Sequence, residues 1–311
     1  MKVLSLFDGC GGARQALKDL NIVPEEYLAV EIDKYAKTIA EKNHPDLFEI
    51  GDINDVDYAL NEVHGPFDLI IGGSPCTDLS VAKKGRKGLS GARSGLFWKM
   101  AAIIEHFKPK YFLLENVASM SKESKQTITK VLGVEPIMIN SALVTAQSRK
   151  RLYWINIPNV IQPEDRGIFL KDIIEVNVDT KYFYSEKAIS YLDRSKINKR
   201  FVVYKDDIKA NCLTANYTKA LPYNVYVDRE KAHCVTSTYM NRACVNYNRG
   251  EGQIVFHNDK VRRLTPTECE RLQGLPENYT EGVSNTQRYK MIGNGFTIPV
   301  IAHILSFMPV P

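Results

Sequence analysis

Over roughly its first half the chain alternates short apolar runs with amphipathic stretches, and few architectures accommodate that rhythm. "VLSLF" (3–7), "YLAVEI" (27–32), "LFEI" (47–50), "DLIIGG" (68–73), "YFLLEN" (111–116) and "RLYWINI" (151–157) read as strands. Between them, "ARQALKDL", "KYAKTIAEKN" and "FWKMAAIIEHF" carry apolar residues at helical spacing. Strand and helix in alternation predict an α/β fold: a doubly wound, parallel sheet with helices on both faces. Ligands in such a sheet bind beyond the carboxyl ends of the strands.

From about residue 175 the pattern changes to short β-type runs rich in Tyr, Thr, Val and Asn, with no long periodic helix before "TPTECERLQG" (265–274). A smaller, mostly β domain is therefore expected over 175–285. The larger domain takes 1–174 and is completed by 286–311, where "IGNGFTIPVIAHILSF" offers a glycine turn and an apolar helix that tolerates Pro299 near its start. The smaller domain holds an internal echo: "KANCLTANY" (209–217) and "KAHCVTSTY" (231–239) share Lys-Ala-x-Cys-apolar-Thr-x-x-Tyr.

Composition narrows the class. With 44% hydrophobic and 25% charged residues, the 311-residue chain is that of a globular protein rather than a disordered one. No apolar run reaches the eighteen residues of a membrane span, and the opening "MKVLSLFDGCGG" reads as a first strand, not a cleavable signal. The six cysteines form no CxxC pair and the six histidines do not cluster with them, so neither a metal site nor a disulfide framework is expected. Reduced thiols in a cytoplasmic protein account for them. The net charge of +5 is only a weak pointer to a polyanion.

Two strand ends suggest a cofactor. Gly9, Gly11 and Gly12 follow a strand and precede a helix, where backbone N–H groups and close approach suit a ligand. Glu31 ends the second strand, the position from which a carboxylate grips ribose hydroxyls. Asp52, after the third strand, could accept from an adenine amine. Together they point to an adenosine-bearing ligand. The Gly-x-Gly-Gly spacing differs from the Gly-x-Gly-x-x-Gly of a dinucleotide site, and a plain strand-to-helix turn would use the same glycines.

Two more strand ends suggest chemistry. In "GGSPCTDLS" Pro75 fixes its own φ and restricts Ser74 to an extended form, which aims Cys76 at the ligand edge. Glu115, in "LLENV", ends a strand at the same edge. A thiol beside a carboxylic acid can add to an electron-poor ring while the acid engages its nitrogen. Residues 77–95 carry Lys83, Lys84, Arg86, Lys87 and Arg93 against the single acid Asp78, a composition that fits a basic lid over an anionic polymer or a solvated loop. In "QSRKR" the alternate residues Gln147, Arg149 and Arg151 would share one face of a strand.

The ordered set "FDGCGG", "VEID", "GDI", "GGSPCTDLS", "LLENV", "QSRKR", "RLTPTECERLQGLPENYT" and "IGNGFTIPVI" resembles the DNA cytosine-5 methyltransferases over nearly the whole chain. The "GGSPC-x-DLS" form looks like the animal de novo branch, and the compact length and "IGNGF" ending look like a bacterial or phage enzyme. The resemblance implies a Rossmann-like sheet, S-adenosylmethionine as methyl donor, and double-stranded DNA as substrate. It also implies a monomer that needs neither a metal nor a membrane. Cys76 would attack C6 of cytosine, Glu115 would engage N3 and the exocyclic amine, and Arg151 would hold the O2 side. Arg149 would steady the cysteine loop or a phosphate. Cofactor contacts would fall to Phe7, Asp8, Gly9, Gly11, Glu31, Ile32, Asp52, Ile53 and Pro75, with Asn294 closing the pocket. Ile32 stands where many relatives carry an aromatic residue, and Thr77 where many carry glutamine. The resemblance further assigns Ser80 and the basic residues of the lid to DNA. Thr236, Tyr239, Asn241 and Arg242 are candidate base readers, with strand packing as the alternative use of the same residues. An RNA-directed member of the family and a catalytically idle relative are the rival readings. The transfer-RNA branch's Cys-Phe-Thr signature is missing, and Cys76 and Glu115 are both in place.

Overall fold

A computed structural model describes residues 1–56, 60–75, 89, 91, 95–185, 202–203, 209–213, 224–228 and 260–309. In chain order the larger elements begin with β1 (Lys2–Leu6), α1 (Gly12–Asp19), β2 (Glu26–Val30), α2 (Lys34–Asn43), β3 (Phe48–Glu49) and α3 (Leu60–Val63). Next come β4 (Leu69–Gly72), α4 (Leu96–Phe107), β5 (Tyr111–Val117), α5 (Lys122–Leu132), β6 (Ile137–Asn140), β7 (Gln147–Ser148) and β8 (Lys150–Ile155). The short strands β9 (Val202–Val203), β10 (Ala210–Asn211), β11 (Asn224–Asp228) and β12 (Lys260–Arg263) precede α6 (Pro266–Gln273), α7 (Asn285–Asn294) and α8 (Ile298–Leu305).

By contact the chain forms two compact units, one of 1–141, 150–164 and 295–311 and another of 142–149 and 165–294. These boundaries differ from 174/175 and 285/286. The stretch after 165 joins the smaller unit because its backbone is claimed there: Arg271 donates to the Ile173 carbonyl at 2.8 Å, and the Glu175 N–H donates to Glu268 at 2.9 Å.

The larger unit holds a seven-stranded sheet in the order β3-β2-β1-β4-β5-β8-β6. The first five are parallel neighbours, with Leu6 in register with both Val30 and Gly72. Two departures from the sequence reading stand out. β8 runs antiparallel to both β5 and β6, filling the gap left when the α5 crossover carries β6 one strand too far. β6 itself was not foreseen, being four residues at a half-buried edge. α5 was also missed: only Ser124 and Ile128 are buried, although Ser121 caps its start and Gly133 adopts the left-handed conformation at its end.

Every residue from Val3 to Leu6 is buried, so both faces of the central strand are covered. On one face Leu4, Leu6, Leu28, Val30, Ile70, Leu114, Leu152 and Trp154 pack with Phe97, Met100, Ile103 and Phe107 of α4. Each such side chain contributes about 1.5–3 kcal/mol. α1 packs against α8, whose Pro299 sits in the first turn where no N–H is needed. The C-terminal helix thus returns to the sheet domain.

In the smaller unit β11 pairs antiparallel with β12 and parallel with β9, and β10 pairs parallel with β7. The helix read at 265–274 spans Pro266–Gln273 between a Thr265 capping box and a left-handed Gly274. Two of its glutamates are fully buried and each is matched. Glu268 takes both ends of the Arg262 guanidinium at 2.7 and 2.8 Å as well as the Thr265 N–H at 2.7 Å. Glu270 accepts from Arg288, from the Thr280 hydroxyl and from the backbone of Asn278 and Thr280. Glu268→Ala should cost about 3–5 kcal/mol in urea unfolding, because it leaves the Arg262 charge buried without its carboxylate. Glu277→Ala, which breaks only the exposed pair with Arg271, should stay within about 1 kcal/mol. Equal costs would contradict the distinction.

Candidate active site

The strand order reverses between β1 and β4, and candidate residues lie beyond the carboxyl ends of β1, β2, β3 and β4, with Glu115 on β5 two residues before its end. After β1, Phe7, Gly9 and Gly11 all have positive φ, at 58°, 65° and 83°, a run of left-handed turns that suits glycine and is uncommon for phenylalanine. Among the described residues, a Cβ added at Gly9 or at Gly51 would meet nothing within 4 Å.

A set of carboxylates holds these loops. Glu31 accepts the Gly9 N–H at 2.9 Å through one oxygen and the N–H groups of Ile32 and Asp33 at 2.9 and 2.8 Å through the other. Glu49 accepts the Glu31 N–H at 3.1 Å and the Gly51 N–H at 3.0 Å, which ties the ends of β2 and β3 together. Asp52 caps the turn that follows by accepting from the Asn54 backbone at 2.9 Å. Ile53 is buried behind it, whereas Ile32 is 74% exposed. Asp8 accepts from the Ser5 and Tyr27 hydroxyls at 2.5 and 2.6 Å through Oδ1. Its Oδ2 is buried with no hydrogen-bond partner among the described residues, as is Oε2 of Glu49. Burial pushes the Asp8 carboxyl up to about 6, against the two hydroxyls that lower it, and pushes Glu49 up to about 7. Glu49 was missed by the sequence reading. It repeats the signal that marked Glu31, a carboxylate ending a strand.

At β4 the two glycines have separate reasons. A Cβ on Gly72 would lie 2.5 Å from the Leu6 carbonyl oxygen. On Gly73 it would lie 3.1 Å from both Glu115 Oε2 and Phe296 Cε1, so this loop, the Glu115 carboxylate and the Phe296 ring are close-packed. Ser74 is buried, and Asn116 donates to its carbonyl and its hydroxyl, both at 3.1 Å. The chain is anchored up to Pro75. Cys76 lies outside the described residues, as do Ser80, Lys83, Lys84, Arg86, Lys87, Arg93, Thr236, Tyr239, Asn241 and Arg242.

Glu115 Oε1 lies 2.8 Å from Arg151 Nε, both side chains being only 13% exposed. They stand on neighbouring antiparallel strands, where Glu115 faces Tyr153 and Arg151 faces Val117, a diagonal pair. The expected common face for Gln147, Arg149 and Arg151 does not form. The strand is broken at Arg149: Gln147 lies on β7 and, with Arg149, belongs to the smaller unit, while Arg151 lies on β8 in the larger one. Arg149 is 4% exposed, and its Nη1 donates to the carbonyls of Leu213 and Gly293. Asn294 is exposed at the end of α7, also in the smaller unit. Asn116 and Phe296 were not foreseen, since a buried amide and a backing ring carry no signal of their own in sequence. Among the described residues no cluster of His, Cys, Asp and Glu could hold a metal, and no helix is long and apolar enough to cross a membrane.

A family model described as C-5 cytosine-specific DNA methylase matches residues 1–308. Among curated relatives, the type II methyltransferase M1.ScrFI of Lactococcus lactis subsp. cremoris is 30% identical, covering 99% of this chain and 77% of its own. M.HpaII of Haemophilus parainfluenzae is 28% identical over 96% of this chain and 86% of its own. Among solved structures, the Entamoeba histolytica methyltransferase EhMeth superposes with a TM-score of 0.76 at 21% identity, covering 99% and 97% of the two chains. The S. pombe Dnmt2 methyltransferase does so at 0.70 and 21%, covering 98% and 97%. These structural likenesses carry the Rossmann-like fold.

The raised carboxyls have a consequence for stability. Folding lifts Asp8 from an ordinary 3.8 to about 6 and Glu49 from 4.5 to about 7, so the fold favours their protonated forms. The stabilisation is complete below about pH 4 and is lost as pH rises through 6 and 7. In urea unfolding between pH 5 and pH 8, the ligand-free protein should weaken with pH, and Asp8→Asn should remove a part on the order of 2 kcal/mol. An unchanged slope in Asp8→Asn with Glu49→Gln would contradict the assignment.

Proposed function

The chain belongs to the C-5 cytosine-specific DNA methylase family, and from that premise we propose that Cys76 attacks a cytosine flipped out of duplex DNA while S-adenosylmethionine serves as methyl donor. The observation that carries the reading is the Glu115–Arg151 pair at 2.8 Å, packed beside Gly73 three residues ahead of Cys76. The cofactor loops fit the donor. Among the described residues, nothing lies within 4 Å of a Cβ added at Gly9 or Gly51 and a buried Asp8 oxygen lacks a hydrogen-bond partner, which suits a ligand that carries positive charge. When bound, S-adenosylmethionine supplies an electrophilic methyl group.

The chain's own residues divide the remaining work. Glu31 would hold the ribose hydroxyls and Asp52 the adenine amine, with Ile32 and Ile53 flanking the ring. Phe7, Asp8, Gly9, Gly11, Pro75 and Asn294 complete the cofactor contacts. The Cys76 thiolate would add to C6, the C5=C6 double bond opening so that C5 becomes nucleophilic; C5 would then take the methyl group as the donor's S–CH3 bond breaks and the sulfonium leaves as a neutral thioether. Loss of the C5 proton then restores the double bond and expels the sulfur. Cysteine suits both steps, since its thiolate is a strong nucleophile that can also leave. Glu115 would hydrogen-bond N3 and the exocyclic amine, favouring the electron-rich ring. Arg151 fixes one carboxylate oxygen of Glu115 through Nε and would hold the O2 side of the base. C6 is hidden within a stacked duplex, so the base must leave the helix. The basic residues of 77–95, with Ser80, would close over the phosphates. Thr236, Tyr239, Asn241 and Arg242 would read bases. Action as a monomer in the cytoplasm belongs to the same reading, and relatives of bacterial and phage origin support a bacterial or phage-infected cell as its setting.

Labelled methyl groups should pass to duplex DNA and not to transfer RNA; the reverse preference would overturn the choice of substrate. Cys76→Ala should lower turnover at least about a thousandfold while gel-shift and dialysis measurements still show DNA and S-adenosylmethionine bound. Turnover near the parent rate would sink the mechanism. Exchanging 208–250 with a relative of different specificity should move the methylated site in bisulfite sequencing, and an unmoved site would remove the recognition role.

A further inference from the structure

The Phe296 ring stands between two loops that the proposed chemistry needs at a fixed separation. Phe296 lies two residues ahead of α8 and is 8% exposed. On one side of it, a Cβ added at Gly12, the first residue of α1, would lie 3.7 Å from Phe296 Cβ and 3.7 Å from Cδ2. On the other side, a Cβ added at Gly73, just after β4, would lie 3.1 Å from Cε1 and 3.6 Å from Cζ. Cδ2 and Cε1 are opposite corners of the benzene ring, so the ring bridges the two loops across its full breadth. Gly12, Gly73 and Phe296 all belong to the same compact unit.

Both seats of the ring are firm. The same Cβ on Gly12 would lie 3.3 Å from Ile298 Cδ1, and α8 packs against α1. The Thr297 carbonyl accepts the Val300 N–H at 3.1 Å and the Ile301 N–H at 3.3 Å, which joins the backbone beside Phe296 to α8. On the far side, two consecutive residues of β5 hold two consecutive residues of the loop. Glu115 Oε2 would lie 3.1 Å from the Gly73 Cβ, and Asn116 donates to the Ser74 carbonyl and hydroxyl. A close-packed joint of this kind passes any change in one loop to the other.

We propose that Phe296 is a positioning residue for methyl transfer, a spacer that sets how far the glycine loop after β1 stands from the Gly73–Pro75 loop that leads into Cys76. The proposal rests on the reading that assigns the first loop to the methyl donor and Cys76 to cytosine C6. The spacing acts on one step. Addition of the sulfur to C6 needs only the loop after β4, Glu115 and the base, whereas methylation of C5 needs both loops in register. With the spacing lost, C5 of the adduct takes a proton from water in place of the methyl group. Its original hydrogen then leaves as a proton to water, the C5=C6 bond re-forms and the sulfur is expelled, so the base is returned unmethylated with its C5 hydrogen exchanged.

The test compares the full chain with Phe296→Leu, Phe296→Ala and Ile304→Ala, the last removing a buried side chain further along α8. Each acts on duplex DNA tritiated at C5 of its cytosines, with S-adenosylmethionine labelled by carbon-14 in its methyl group and supplied at saturation as judged by equilibrium dialysis. Tritium released to water counts passages through the sulfur adduct, and carbon-14 in DNA counts methyl transfers. The parent and Ile304→Ala should give the two counts in equal amounts, even though Ile304→Ala melts at a lower temperature. Phe296→Ala should lose methyl transfer about tenfold to a hundredfold while tritium release falls less, so the ratio of tritium to methyl rises, with Phe296→Leu between it and the parent. Equal falls in both counts, as from a general loss of structure, would overturn the proposal, and so would parental methyl transfer in Phe296→Ala. If thermal melting shows Phe296→Ala unfolded, the ratio in Phe296→Leu decides in the same way. Methyl transfer by the parent without tritium release would bring down the proposed chemistry together with this proposal, whereas a failure confined to the Phe296 variants leaves that chemistry standing.

Discussion

β1 and β4 lie so close that Gly72 has no room for a side chain: a Cβ there would sit 2.5 Å from the Leu6 carbonyl. That approach fixes the register of the two strands on either side of the point where the sheet order reverses. The glycine loop after β1 and the Gly73-Ser74-Pro75 segment after β4 consequently leave the sheet side by side. Neighbouring strands add Glu31 on one side and Glu115 on the other, so the residues proposed for donor and acceptor stand along one edge. Nothing in the chemistry of the individual residues would bring them together without that crossing.

The two halves of the edge treat their carboxylates differently. Around the glycine loop, Asp8 is buried and Glu49 half-buried, neither with a cationic side chain among its described hydrogen-bond partners, and desolvation raises both. A cationic ligand would relieve that cost. On the other side, Glu115 is matched directly by Arg151, which fixes its orientation before any base arrives. Preorganisation of this kind is where an enzyme gains most, because the donor and acceptor need no rearrangement as charge develops. The smaller unit follows the same rule for structural ends. Its α6 glutamates are fully buried, and each has an arginine and several N–H or O–H donors.

Much of this was legible in sequence. The parallel strands announced themselves because burial on both faces demands largely apolar runs, as in Leu69 to Ile71 and, interrupted only by Ser5, in Val3 to Leu6. Glu31 was singled out because a carboxylate directly after such a run stands at a strand end, whereas Glu115, read as a strand end, lies within β5, which continues to Val117. β6 and α5 escaped because an edge strand and a surface helix bury too little to show a period. Arg149 was placed on a continuous strand with Arg151 because alternation assumes regular backbone, and the break at 149 is imposed by partners as distant in sequence as Leu213 and Gly293. Asn116 and Phe296 matter through what they touch, and sequence distance hides contacts of that kind.

The central claim is a transient covalent bond between Cys76 and C6 of an extruded cytosine. It is tested most directly with duplexes that carry 5-fluorocytosine at the methylated position, because fluorine at C5 blocks the proton loss that would release the sulfur. With S-adenosylmethionine supplied, the protein should become trapped on this DNA in a denaturing gel, and the Cys76→Ala protein should not. No trapped species on a sequence that the enzyme methylates when it carries ordinary cytosine would contradict the claim.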